Sequence, residues 1–139
     1  MNTLPLASPA QARRPSTYRI GLVASALAAL FLLADAASQL LAVAPVLAAA
    51  VHIGFPATPA VWQGLGALLL VATVLYLVPR TALFGAVLVS GYLGGAICAH
   101  VRIGEGLAAP TLVSLVVAVL AWAGLVLRDA RLADVVRGR

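Results

Sequence analysis

The chain has 139 residues, of which 63% are hydrophobic and 9% are charged. Soluble domains are about half apolar and about a quarter charged, and a domain of this size has too small an interior to hide so much apolar surface from water. The composition therefore excludes a soluble globular protein and makes the lipid bilayer an expected partner.

The formal net charge of +5 comes from nine arginines and four acids, without any lysine. The arginines lie at the ends of apolar segments, which is typical of membrane orientation signals and of contacts with anionic lipids. No nucleic-acid partner is therefore expected. The single cysteine, Cys98, excludes an internal disulfide or a cysteine metal cluster within one chain.

In chain order, residues 1–17 contain three prolines and no helical apolar stripe, and are predicted to form a disordered cytoplasmic tail. Residues 18–130 are predicted to form a four-helix transmembrane domain, and residues 131–139 a basic cytoplasmic tail. Each predicted span is close to the ~20 residues that cross the hydrocarbon core. The spans are predicted at residues 20–43, 61–78, 81–101 and 110–127.

The connections complete the predicted fold. Pro45 can start a short helix and Gly54 can end it, so an interfacial helix is expected between the first and second spans. Pro79-Arg80 leaves almost no loop between the second and third spans, which predicts a tight antiparallel hairpin. The fold class is therefore all-α, an integral membrane bundle of four transmembrane helices with one short interfacial helix.

Arginine placement predicts the orientation of this bundle. Eight of the nine arginines fall on one side of a four-span arrangement, and only Arg102 falls on the other. Positively charged residues near span ends favour the cytoplasm, so both chain termini and the Pro79-Arg80 turn are expected there.

The third span carries small residues along one face, at Gly91, Gly95 and Ala99. Such a face allows close approach of another helix. Packing inside the bundle is the favoured interpretation, and the interface of a homo-oligomer is the alternative.

Polar side chains gather toward the outer half of the predicted bundle. With a rise of ~1.5 Å per residue, Asp35 lies roughly 22 Å and Gln39 roughly 28 Å from the inner face, while Tyr92 lies roughly 16 Å and His100 roughly 28 Å across. Gln63 opens the second span from the same side. These five residues form the candidate ligand-binding site.

Two roles remain open for Asp35, which shares a helical face with Gln39. One is a hydrogen-bonded clamp between the first and second spans, and the other is contact with a ligand or a proton, because acids inside membranes are often functional. His100 is either a solvated residue at a helix end or a ligand contact. No nucleophile has a nearby base and no set of residues has metal-ligand spacing, so no catalytic residue and no metal are assigned.

Several segments together resemble the DoxX-like family of small four-helix bacterial membrane proteins, from about residue 20 to residue 130. Residues 31–40 (FLLADAASQL) are similar to the family's first-helix motif and residues 52–56 (HIGFP) to its LGYP loop. Residues 63–70 followed by Pro79-Arg80-Thr81 resemble its E-L-x-G-A-x-L-L…P-R-T stretch. The most specific part is residues 91–104 (GYLGGAICAHVRIG), and residues 122–128 complete the resemblance.

Two positions depart from the family pattern. Gln39 stands where the family has lysine, and Gln63 aligns with a glutamate of its second helix. If these two residues pair in relatives, the two glutamines remove both charges and keep a hydrogen bond possible. A role that requires this ion pair is therefore put in question here.

The resemblance implies a multi-pass protein of the bacterial inner membrane, associated with respiratory or oxidative-stress systems such as quinol oxidase and thiosulfate:quinone oxidoreductase. The leading hypothesis is an accessory component that contacts a quinone in the outer-half pocket. Because the chain has no electron carrier of its own, it would need a redox partner protein or a bound quinol. The alternatives are a small-solute transporter and a structural or assembly subunit without a ligand, and enzymatic activity is left open.

Overall fold

Six α-helices make up the described part of the chain. The computed structural model describes residues 15–136 and residue 138, and the other residues lie outside this description. In chain order the helices are α1 (Pro15–Leu40), α2 (Ala44–His52), α3 (Pro59–Leu77), α4 (Ala82–Arg102), α5 (Ala109–Arg128) and α6 (Ala130–Val136). Helices α1, α3, α4 and α5 are long and apolar enough to cross a membrane, which confirms the predicted all-α four-helix membrane bundle.

The helix boundaries differ from the predicted ones mainly near the two chain ends. Helix α1 begins at Pro15, so the last three residues of the predicted tail 1–17 are helical, and residues 1–14 lie outside the described residues. Proline is tolerated in a first turn because the missing N–H would have no helical partner there. Within the predicted basic tail, α6 forms a further helical turn, and the Asp129 carboxylate accepts a hydrogen bond from the Arg131 backbone N–H at its start.

The four long helices form a ring in which α1 and α4 each pack against both α3 and α5. Small residues allow this packing. A Cβ added at Gly66 of α3 would lie 2.9 Å from the Ala36 carbonyl oxygen of α1, and one added at Gly124 of α5 would lie 2.7 Å from the Ser25 backbone nitrogen. The largest side chains buried in the ring are Tyr76, Leu32, Leu69, Leu125 and Val89.

Helices α3 and α4 form the predicted tight hairpin. Only four residues connect them, and the Thr81 hydroxyl donates a hydrogen bond of 2.9 Å to the Leu75 carbonyl oxygen. Beside this turn, the Arg128 guanidinium lies 4.9 Å from the centroid of the Tyr76 ring and donates to the Tyr76 carbonyl oxygen. We call this end of the bundle the hairpin end.

Helix α2 lies at the opposite end of the bundle, which we call the α2 end. Pro45 stands in its first turn, and after its last residue, His52, the backbone of Gly54 turns with a φ of +70°. Positive φ favours glycine, and the Gly54 and Phe55 N–H groups donate back to carbonyls of α2. The short helix predicted between Pro45 and Gly54 is thus present.

Candidate functional site

An open cavity of about 820 Å³ lies at the α2 end and is lined by residues of helices α1 to α5. This volume is within the range of small-molecule sites in proteins. Its walls are mostly apolar, and Phe31, Leu68 and Val87 keep 42 to 53% of their surfaces exposed, so the cavity is not sealed. The remaining large apolar lining residues include Val46, Ile53, Leu65, Leu88 and Val113.

The small-residue face of α4 creates much of this space. Gly91, Gly95 and Ala99 line the cavity, and a Cβ added at Gly91 or Gly95 would meet no heavy atom within 4 Å. The favoured interpretation, packing against another helix inside the bundle, is therefore wrong for this face. Close helix contacts occur instead at other glycines, such as Gly66 and Gly124. The α4 face with Gly91, Gly95 and Ala99 lines the cavity and does not contact a neighbouring helix closely.

A hydrogen bond between two side chains joins α1 to α4 at the cavity. The Tyr92 hydroxyl of α4 donates to Gln39 Oε1 of α1 over 2.7 Å. One turn away on the same face of α1, Asp35 also lines the cavity. Gln39 is 4% exposed and Asp35 is half-buried. The clamp predicted for Asp35 joins the first and second spans, whereas the hydrogen bond seen here joins Gln39 of the first span to Tyr92 of the third.

A second set of hydrogen bonds joins three segments of the chain at the α2 end. Glu105, in the connection between α4 and α5, accepts hydrogen bonds from His52 of α2 over 2.6 Å and from His100 of α4 over 2.8 Å. These two bonds, with His52 the larger cause, hold the pKa of the Glu105 carboxyl below its ordinary value of 4.5. Glu105 therefore remains ionised near neutral pH and ties three segments together.

Sequence reasoning missed Glu105. It is the one acid between the last two long helices, and the only signal that could have singled it out is its position five residues after His100 at a helix end. Among the residues that the structure describes, no set of three or more His, Cys, Asp or Glu side chains is placed to hold a metal ion. The His-Glu-His arrangement is accordingly a hydrogen-bonded bridge.

Two further side chains hold the rim of the cavity. The Arg102 guanidinium donates to the Ile53 carbonyl oxygen at the end of α2, where a positive charge complements the helix dipole. The Trp62 Nε1–H donates to the Pro56 carbonyl oxygen over 2.9 Å, and its ring lies 6.3 Å from that of Phe55. Among the described residues, Arg102 is the one arginine on this side of the bundle, and it has a structural partner. Trp62 also lines the cavity.

Four of the five predicted site residues line the cavity, namely Asp35, Gln39, Tyr92 and His100. Gln63 does not line it, and its side chain is exposed. The sequence predicted how deep Gln63 lies in the membrane but not the direction of its side chain around α3. Gln63 directly follows Trp62, which lines the cavity, and consecutive residues of a helix point to different sides.

Residues 23–124 match the model of the DoxX-like family, which is most of the chain. No curated protein and no solved structure matches the chain.

Proposed function

This chain belongs to the DoxX-like family, and from that premise we propose that it is a quinone-binding accessory protein of a redox-linked or oxidative-stress-linked membrane system. The observation that carries the proposal is the open cavity of about 820 Å³ at the α2 end, with polar side chains from two helices meeting in an apolar chamber. A mostly apolar pocket with a few placed polar groups is the usual form of a small-molecule site.

The residues present fit a quinone. The apolar walls suit a substituted ring and the first units of an isoprenoid tail, and the exposed lining residues leave a path for the rest of the tail toward lipid. Asp35, Gln39, Tyr92 and His100 are the side chains that would hold the polar head. A bound quinone would supply the two-electron carrier that these side chains lack.

The proposal includes a location and an orientation. The long helices are those of a multi-pass membrane protein, and the family resemblance favours a bacterial inner membrane. The arginine distribution supports an orientation with both termini in the cytoplasm. The cavity then opens in the outer half of the bilayer. Electrons would be exchanged with a partner redox protein, since the chain has no carrier beyond the bound ligand.

The test is quinone retention in protein extracted with its native lipids. Gly95 lines the cavity and a Cβ added there meets no heavy atom within 4 Å, so the leucine of Gly95→Leu should occupy part of the cavity and lower the retained quinone about tenfold or more. Gly94→Leu is the matched control, because Gly94 also has open space around its Cβ position but does not line the cavity. Asp35→Leu and His100→Leu should weaken retention while the bundle stays folded.

Equal retention in the wild type and all of these variants would overturn the proposal. A structural or assembly subunit without a ligand would then remain, supported by the Tyr92 to Gln39 link between α1 and α4. In that case Asp35→Leu would change only the thermal stability in detergent.

A further inference from the structure

Helix α2 covers the cavity with one of its faces. Val46 and Ala49 of α2, and Ile53 directly after it, line the cavity at a spacing of three and four residues, which belongs to one side of a helix. Ile53 is 8% exposed, whereas Val51, on another side of α2, is 66% exposed. Helix α2 therefore has an inner face toward the cavity and an outer face away from it.

Helix α2 is not packed closely along any of the four long helices. Within the described part of the chain, extensive contacts join the long helices to one another and α6 to α5, but none of that extent involves α2. Ala50 is the one buried residue of this helix. A helix of nine residues has little stability of its own, so the position of α2 depends on the links at its two ends.

The backbone turns through the left-handed region on both sides of α2. Ala42, two residues before the helix, has a φ of +45°, and Gly54, two residues after it, has a φ of +70°. Among the described residues Ala42 is the one non-glycine residue with positive φ, a conformation that brings its Cβ close to a backbone carbonyl oxygen. Strained residues at the ends of an element are typical of hinges and switch segments, so these two positions are suited to let α2 swing.

Two side chains from the end of α4 and the connection after it hold the second end of α2. The Glu105 carboxylate lies 2.6 Å from His52 Nε2, and the Arg102 guanidinium donates to the Ile53 carbonyl oxygen. The His52 side chain is 61% exposed and that of Glu105 is 30% exposed. Polar links at such an exposed edge are individually weak and exchange readily with water, so they form a latch that can open.

From these contacts we propose that α2 is a hinged lid over the end of the cavity that faces water, latched by Glu105 and Arg102. Opening of the lid admits water-soluble molecules to the polar side chains within, among them Gln39, which is 4% exposed in the latched state. The exposed apolar lining residues Phe31 and Leu68 belong to a separate opening toward lipid. The lid controls access to the cavity whichever ligand the cavity holds, so this inference goes beyond the proposed function and does not depend on it.

Two adjacent residues of α4 provide the test. Ala99 lines the cavity, whereas Cys98 is exposed and does not line it. On the full-length protein in lipid nanodiscs, the rate of reaction with a permanently charged methanethiosulfonate is measured for the native Cys98 and, in a Cys98→Ser background, for Ala99→Cys. Glu105→Ala removes part of the latch and should raise the rate at position 99 about fivefold or more, while the rate at Cys98 stays within about twofold.

Two further variants make the test specific to the latch. Arg102→Gln removes the guanidinium that bonds the Ile53 carbonyl oxygen and should also raise the rate at position 99. Glu105→Gln keeps one acceptor oxygen and one donating amide at the same reach, so both histidines can still be bonded, and the rate should stay within about twofold of the wild type. Cys98 controls for the change in local charge, because it lies one residue from the reporter.

The outcomes are distinct from those of the quinone experiment. Unchanged rates at position 99 in both Glu105→Ala and Arg102→Gln would overturn the lid. A rise of the same size at positions 98 and 99 in both variants would also overturn it, because α4 would then loosen as a whole. Neither rate requires a bound quinone, so the lid and the proposed function can fail separately.

Discussion

At the scale of single residues, Glu105 is the side chain that links the segments at the α2 end. Its side chain is 30% exposed and accepts from one exposed and one mostly buried histidine, with side-chain exposures of 61% for His52 and 17% for His100. Arg102, which bonds the Ile53 carbonyl oxygen, is the nearby permanent charge. A single loop carboxylate thus links α2 to α4.

The lowered pKa of Glu105 predicts a loss of this bridge in acid. A carboxyl group whose pKa is lowered by folding stabilises the folded state fully above its ordinary value of 4.5, and this contribution is lost as the pH falls through the lower pKa of the folded state. Trp62 reports on the adjoining connection, because it bonds the Pro56 carbonyl oxygen. In a Trp122→Phe background, Trp62 emission should shift to longer wavelength below pH 4.5.

Glu105→Gln should abolish this shift, because an amide does not titrate and can still receive a hydrogen bond. Asp129→Asn, at the hairpin end, should retain it. A shift of the same size and midpoint in Glu105→Gln would assign the acid transition to a different group.

At the scale of helices, the glycines of α4 have different surroundings. A Cβ at Gly85 would lie 2.1 Å from the Tyr76 backbone nitrogen, whereas one at Gly94 would meet nothing within 4 Å. Gly85→Ala should therefore lower the free energy of unfolding by about 2 kcal/mol, because overpacking against backbone costs ~1–3 kcal/mol. Gly94→Ala should raise it by up to ~1 kcal/mol, because alanine is the better helix former. Denaturation in mixed detergent micelles measures both.

Similar stabilities for the two alanine variants would contradict the close contact between α3 and α4. A matched pair within one helix keeps the membrane environment and the chemical change the same. The comparison therefore isolates the packing of the hairpin from the general effect of removing a glycine.

These glycines also show which features of the fold the sequence could predict and which it could not. The four spans, the short α2 and the tight hairpin follow from apolar length and from Pro45, Gly54 and Pro79, which act locally. The spacing of Gly91, Gly95 and Ala99 correctly gives a single face, but spacing does not say whether a helix or a cavity lies opposite. Gln63 lies outside the cavity lining for a related reason, since the depth of a residue in the bilayer does not determine the direction of its side chain around the helix axis.

At the scale of the whole molecule, the two ends of the bundle are built differently. The hairpin end is closely packed and carries buried polar contacts, such as the Tyr76 hydroxyl 2.9 Å from both Ser25 Oγ and the Ala121 carbonyl oxygen. The α2 end contains the cavity and is held by side-chain bridges between segments. A closely packed end and an open end in one small bundle support the proposal that a lipid-soluble ligand enters from one leaflet.

The arginine distribution predicts which leaflet this is. Reporter fusions at residues 57 and 106, which follow α2 and α4, should show an external location, and a fusion at residue 139 should show a cytoplasmic one, because arginine-rich span ends stay inside. Alkaline phosphatase active only outside and a fluorescent protein folded only inside give opposite readouts at each site. A cytoplasmic signal at 57 or 106 would reverse the orientation and place the cavity in the inner leaflet. The proposed binding of a quinone in the cavity would survive that result, but a redox partner of the site would then have to be sought on the cytoplasmic side.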